Sequence, residues 1–356
     1  MPSSQTPVPN VIRGNYLGDM LAQGDALKAV AQGLSEVSPE ALLNLCNALR
    51  GVRRIVLTGM GSSHHALYPL HLKLSAAGLV SHWIETSELL LGFEPFYAAD
   101  TLLVAVSQSG ESGEIVRLLE HSGRFGHIVG VTNNPASTLG RKAHTVLQLH
   151  AGVESTVSCK TYLATLAALH WLSEALTGGD LAAVPARLAQ AEAGVRDYLA
   201  RWESHVAEIY ALTEGVQSFF ITGRATSMAT AGTGGLIFKE ATRRSAEGMG
   251  CAAFRHGPLE MVSDKVLVLV CAGDGNASAE TLNRRLADDI VKAGGRAVVL
   301  GAEPTPTGAF RLPSVPAALL PIVEILPVQM LTLALAARDG REAGRFERAS
   351  KITTAI

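Results

Sequence analysis

The chain has 356 residues, a soft prior for two domains or one large α/β domain. Residues from AVILMFWYC make up 47% and charged residues only 17%, which is a composition built for burial and excludes intrinsic disorder. Thirty Lys+Arg against 32 Asp+Glu leave a formal net charge of −2, so no basic field draws nucleic acid or anionic lipid, and an anionic ligand must be held by a local site.

The first ten residues, MPSSQTPVPN, lack the basic and apolar regions of a signal peptide, and a soluble cytoplasmic protein is the expectation. Arg54-IVLT-Gly59 predicts a buried strand, GMGSS a turn, and Ser62 to Ala77 a helix. Thr101 to Ser107 predicts a second strand, followed by the turn QSGES and a helix from Glu114 to His121. His127 to Asn133 and Thr145 to Ala151 predict two more strands. Strands alternating with helices of this length imply βαβ units and a parallel sheet. Cys159 to Leu176 reads as a long apolar helix stopped by Gly178-Gly179, and Asp180 to Gly215 as a helical connector. The most apolar stretch, Val315 to Ala337, is interrupted by Pro316, Pro321, Glu324 and Pro327, which argues against a membrane span. The four cysteines (Cys46, Cys159, Cys251, Cys271) are scattered, so neither a disulfide scaffold nor structural zinc is supported. The histidine pairs His64-His65 and His144/His150 have no metal-ligand spacing.

An internal repeat runs through the chain. VLTGMGSS, around Thr58, Gly59 and Ser63, matches FITGRATS, around Thr222, Gly223 and Ser227, at an offset of 164 (58 to 222). The strand ending at Ser107 (TLLVAVS) matches the one ending at Cys271 (KVLVLVC) at the same offset (107 to 271). Two matches in one register imply a tandem duplication of one α/β unit. The copies differ after the second strand: Ser107-Gln108-Ser109-Gly110-Glu111-Ser112 becomes Cys271-Ala272-Gly273-Asp274-Gly275-Asn276, so the hydroxyls vanish and an acid enters.

Hydroxyls on a tight turn between a strand and a helix suit a phosphate, because outward backbone N–H groups, the helix dipole and each hydroxyl all favour an anion. The first copy offers two such turns, 59–63 and 107–112. Serine and glycine also populate turns and cap helices without any ligand. Neither G-x-G-x-x-G nor G-x-x-x-x-G-K-[ST] follows these strands, so Rossmann and Walker sites are excluded.

These turns, with the duplication, resemble tandem sugar isomerase (SIS) domains, and the resemblance spans nearly the whole chain. It is nearest to the isomerase half of glucosamine-6-phosphate synthase and its stand-alone phosphosugar relatives. AGVESTVSCKTYLATLAAL from Ala151, Phe238-KEATRRSAEGMGCAAFRHGPLEMV and Glu347-RASKITT resemble three further family segments. The fold implied is α/β, two tandem SIS domains, each a mostly parallel sheet flanked by helices in three layers. The segments expected are a helical lead (1–33), a first SIS domain (34–178), a helical connector (179–212), a second SIS domain (213–340) and a catalytic tail (341–356).

The resemblance puts a sugar phosphate on Ser63, Ser107, Gln108, Ser109 and Ser112, with Gly61, Ser62, Thr156, Ser158 and Lys160 as further substrate contacts. Glu240 falls on the family's general base, which moves a proton between C1 and C2 of the open-chain sugar. His256 falls on a histidine that assists ring opening from the neighbouring subunit, implying a homodimer. Lys351 falls on a C-terminal lysine able to form a Schiff base with the ketose carbonyl. Read from the residues alone, Glu240 could be an exposed helix charge beside Lys239, His256 a turn histidine before Gly257-Pro258, and Lys351 a solvated tail lysine. Proton abstraction from carbon needs a carboxylate of raised pKa, which burial in the apolar helix GGLIFKEA could supply.

Three departures shape the expected activity. The chain starts Met1-Pro2 with no cysteine before Cys46, so glutamine hydrolysis by the synthase's N-terminal cysteine is not expected. The synthase lysine three residues before the base is Ile237 here. Glu154 to Lys160 is one residue shorter than in the synthase. The expectation is an isomerase that deaminates glucosamine 6-phosphate, or a close relative, to ketose 6-phosphate and ammonia, with no cofactor or metal implied. A fructosamine-6-phosphate deglycase and a non-catalytic phosphosugar sensor are the alternatives.

Overall fold

The computed structural model describes residues 9–273, 276–303, 307–348 and 350–353. Its strands form two all-parallel sheets. The first contains β1 (Arg54–Gly59), β2 (Ser81–Glu85), β3 (Thr101–Val106), β4 (His127–Thr132) and β5 (Thr145–Gln148), in the order β2-β1-β3-β4-β5. The second contains β6 (Ser218–Gly223), β7 (Ala246–Gly250), β8 (Val266–Cys271) and β9 (Arg296–Leu300), in the order β7-β6-β8-β9. Two compact units carry them. Ala22–Glu154, Ser158–Glu192 and Glu347–Ile356 belong with the first sheet; Met1–Leu21, Ser155–Val157 and Ala193–Phe346 belong with the second. Asp274 and Gly275, the acid-bearing part of the altered turn, lie outside the described residues, as do residues 1–8 of the expected lead and 354–356 of the expected tail.

In the first-sheet unit, β1, β3 and β4 are buried along nearly their whole length and mostly apolar, because both faces are covered. On one face Val56, Leu103, Ala105 and Ile128 pack with Leu89, Ile115, Leu118 and Leu139 from the short helices Thr86–Gly92, Gly113–Leu119 and Thr138–Lys142. The helix Lys160–Thr177 is buried from Lys160 to Leu176, packed against Gln23–Ser35 and Tyr68–Ala76. A helix enclosed on all sides has no polar face to show in its sequence. Gly178, at φ 66°, ends it in the left-handed conformation.

The second-sheet unit repeats this layering. Phe220, Val266, Val268 and Val270 pack with Phe254, Leu286 and Ile290 on one side, and the helices Met228–Thr242 and Leu320–Arg338 pack together. The apolar stretch forms the helix Leu320–Arg338. Pro321 takes the first helical turn, where no N–H is needed, and Pro327 is held inside a continuous helix. That helix is long and apolar enough to cross a membrane, yet every residue from Pro321 to Ala336 is buried in the unit.

Three strands escape the sequence reading. β2 is half-buried along its length at a sheet edge, so it lacks an apolar run. β7 (AEGMG) is rich in glycine because the helix Met228–Thr242 lies directly on it: a side-chain carbon at Gly248 would strike the Ala231 carbonyl, and one at Gly235 the Gly248 amide. β9 is short, though glycines bound it on both sides. The helix expected from Ser62 to Ala77 divides into Ser62–Ala66 and Tyr68–Ala76 ahead of Pro69, which lacks a donor.

The repeat also needs correcting. β1 and β6 start 164 residues apart (54 to 218), but Arg54 pairs with Thr101 whereas Ser218 pairs with Val266, 165 residues later. The two sequence matches therefore do not share one structural register. Both β3 and β8 are buried on both faces, so a slip of one residue exposes nothing apolar.

Candidate functional site

In the first sheet the chain runs from β1 to one neighbour and then to the other, so the topological switch point lies between β1 and β3. Ligands of open α/β sheets bind there, at the carboxyl ends of the strands. Both hydroxyl-bearing turns leave from that point, since Gly59 and Val106 are paired at the ends of their strands. Gly61, at φ 52°, turns the chain into the helix Ser62–Ala66, and Gly61, Ser62 and Ser63 are all half-buried.

The second turn is braced by its own hydroxyls. The Gly110 N–H donates to Ser107 Oγ at 3.2 Å, and the Glu111 N–H donates to Ser109 Oγ at 3.2 Å. Each serine oxygen thus accepts from the loop and keeps a proton to donate outward. Gly110 adopts φ 67°, and a side-chain carbon there would collide with Ser137. The Gln108 carbonyl accepts from the Asn133 N–H and from Thr132 Oγ1, which ties the turn to the loop after β4. Ser112 is the cap residue of Gly113–Leu119, but its side chain makes no capping bond; the Gly113 N–H donates to the Thr353 carbonyl.

Beside this turn lies an open cleft of about 450 Å³, lined by Gln108, Asn133, Asn134, Gln148, His150, Gly152, Val153 and Glu154. Glu154 organises its far wall. One carboxylate oxygen accepts the N–H groups of Cys159 (3.0 Å) and Thr161 (3.1 Å), anchoring the start of the helix Lys160–Thr177. The other accepts Thr161 Oγ1 at 2.5 Å and Lys351 Nζ at 2.7 Å. The Glu154 side chain is fully buried and that of Lys351 is 21% exposed. Lys351 is therefore an ion-pair partner here, and attack on a carbonyl requires it to leave Glu154.

The remaining predicted residues fall as follows. Lys160 is buried at the first position of its helix, and Ser158 Oγ lies 3.3 Å from Thr161 Oγ1. Thr156 is buried and groups with the second-sheet unit. Glu240, also in that unit, is half-buried in the last turn of Met228–Thr242 beside exposed Lys239, between the buried base and the exposed helix charge that the sequence allows. His256 is exposed on the turn after Cys251–Phe254, ahead of Gly257 at φ 134°. Ile237 is fully buried. The histidine pairs make packing contacts: His64 stacks on Trp83 at 4.1 Å and burial pulls its pKa down to about 4, while His144 stacks on His127.

Sequence reasoning missed the residues that hold the turns. Glu111 accepts the N–H (2.6 Å) and hydroxyl (2.9 Å) of Thr138, and the Asn133 amide pins Ala151 and Gly152. An acid inside a serine-rich turn and an Asn directly after a strand were the available signals.

Residues 48–175 match the SIS domain. The SIS match thus covers β1 to β5, both hydroxyl-bearing turns and nearly all of the helix Lys160–Thr177, and the second sheet lies outside it. Over 96% of its length the chain is 29% identical to a glutamine–fructose-6-phosphate aminotransferase (isomerizing) of Pyrococcus horikoshii, of which it spans 58%. The fold is that of the C-terminal domain of glucosamine-fructose-6-phosphate aminotransferase from Francisella tularensis (TM-score 0.79, 19% identity, 94% of this chain and 98% of that one). It is also that of glucosamine-6-phosphate deaminase from Thermotoga maritima (TM-score 0.72, 15% identity, 96% and 99%).

Proposed function

We propose that the chain is an aldose–ketose isomerase of phosphosugars that acts on an aminosugar 6-phosphate, deaminating glucosamine 6-phosphate or a close relative. The observation carrying this reading is the pair of serine-bearing turns at the β1–β3 switch point, inside the SIS-matched residues, with two hydroxyls oriented by loop N–H groups. Hydroxyl and amide donors hold a phosphate without a basic field, as the near-neutral charge requires.

In this reading Ser63, Ser107, Gln108, Ser109 and Ser112 bind the phosphate, with Gly61, Ser62, Thr156, Ser158 and Lys160 as accessory contacts. Remote binding energy then positions the reacting carbons. The roles of Glu240 and His256 rest on the family resemblance. Glu240 moves the proton between C1 and C2 through an enolamine, and His256, donated by a second copy of the chain, opens the ring. Lys351 leaves Glu154 and attacks the C2 ketimine, expelling ammonia as its own Schiff base forms. Water then hydrolyses that Schiff base to the ketose phosphate and free Lys351, so overall water enters and ammonia and ketose phosphate leave. The two units derive, in the same reading, from one duplicated SIS domain, and the enzyme works as a cytoplasmic homodimer.

Ammonia release from a panel of aminosugar 6-phosphates tests the reading. Silence across the panel, with synthesis only at high ammonia, reverses its direction. The open cleft beside Gln108 favours one second reading, deglycation of a fructosamine 6-phosphate, which needs space for an amino-acid substituent. Release of an amino acid rather than ammonia would establish it.

A further inference from the structure

The second sheet has its own switch point, between β6 and β8. The chain there goes from Gly223 through Ser227 into the helix Met228–Thr242. The two turns are built alike around a glycine: a side-chain carbon on Gly59 would press on the Ser63 backbone, and one on Gly223 on Ser227. Ser227 also stands opposite Ser63 at the 164-residue offset. What differs is the hydroxyl's partner. Ser227 Oγ donates to Glu324 Oε1 at 2.7 Å, and Thr230 Oγ1, one turn into the helix, donates to Glu324 Oε2 at 2.8 Å.

Glu324 is fully buried. Its two hydroxyl donors sit at the cap position and in the first turn of a 15-residue helix, whose dipole favours an anion at that end. It also reaches Cys271, the last residue of β8, whose thiol is pushed well above its ordinary range by burial, by the nearby Glu324 charge and by a hydrogen bond to Glu324. One carboxylate from the helix Leu320–Arg338 therefore meets donors from the turn and helix after β6 and from the end of β8. A buried carboxylate is tolerated only with such partners.

We infer that the crevice at the β6–β8 switch point is an anion site already filled by the protein's own Glu324, so that this unit takes no sugar phosphate there. The second half of the statement rests on the phosphosugar reading; the first does not. Glu324→Ala would leave the Ser227, Thr230 and Cys271 donors around a space the size of a small carboxylate. Formate or acetate should then raise the Tm of Glu324→Ala by about 3 °C or more beyond chloride at equal ionic strength. The wild-type protein should show no such difference. An equal formate response in both proteins would overturn the inference, as would a Glu324→Ala protein as stable as wild type without added anion.

Should Glu324→Ala not fold, refolding in formate but not in chloride supports the inference. If neither salt restores it, Glu324→Gln decides. Gln offers one acceptor oxygen to three donors, so its Tm should fall, and a Tm equal to wild type overturns the inference. Titration of wild type with glucosamine 6-phosphate should give one site per chain. A second site that Glu324→Gln abolishes would overturn the claim that the crevice is closed, whereas no binding at all would count against the phosphosugar reading and leave the formate result standing.

Discussion

The two switch points start from the same local design and diverge in what meets the serine. At β1 and β3 the hydroxyls of Ser107 and Ser109 accept from their own loop and keep protons to give. At β6 and β8 the hydroxyls of Ser227 and Thr230 are spent on Glu324, a residue about a hundred positions further along the chain. A glycine, a serine and a helix amino end thus make an anion site in either unit, and a distant side chain decides whether that anion is internal. Fold-level equivalence between two sheets says little about which of them binds.

The sharpest break of this comparison removes the general base that the resemblance draws from the second-sheet unit. Glu240→Gln should lower kcat by about 10³-fold, within the range of lost general acid–base catalysis, while phosphosugar Kd moves little. Wild-type turnover in that variant would sink the isomerase reading. Next come the serines. Ser107→Ala and Ser109→Ala should each weaken phosphosugar binding by about 10- to 100-fold, the span of a hydrogen bond to a charged group. Ser227→Ala should leave that affinity unchanged and lower Tm instead; loss of affinity there would erase the distinction between the switch points.

A smaller effect is expected at Glu154, a buried carboxylate of the first-sheet unit that caps a helix through backbone N–H groups, where Glu324 in the second accepts from hydroxyls. Glu154→Gln removes the anion facing Lys351, so trypsin should cut at Arg348 or Lys351 several-fold faster than in wild type. Unchanged cleavage would detach the ion pair from the order of the tail.

Acid sensitivity, which touches neither switch point, bears least on the comparison. His170 is buried, and desolvation outweighs the opposing pull of Glu174, bringing its pKa down to about 4. The unfolded chain binds that proton near pH 6.5 and the folded chain only near 4, so stability present above pH 6.5 is lost as pH falls between the two. His170→Gln should flatten this part of the stability curve, read as Tm against pH. An unaltered slope would move the acid sensitivity to His64 or His205, whose pKa values burial also lowers.

Much of the first-sheet unit was legible because its signals are local. Val and Leu runs between glycines marked β1, β3 and β4, and Ser-Gln-Ser-Gly marked the turn that follows β3. β7 was not legible, because its glycines answer to a helix packed on it and not to a strand pattern. The prolines of the helix Leu320–Arg338 left its continuity undecided for a related reason, since burial on every side stabilises a helix that propensity alone would interrupt.

The sequence alone determined the α/β class, the order of the apolar strands and the clustering of hydroxyls after β1 and β3, because periodicity and turn chemistry are set by neighbours in the chain. The low charge and absent basic field said from the outset that an anion must be held by a local site. Only the tertiary structure decided where the donors point. It paired Lys351 with Glu154 and gave Ser227 and Thr230 to Glu324. Those partners stand roughly a hundred to two hundred residues apart, a separation that local pattern does not encode and that packing alone brings within hydrogen-bond distance.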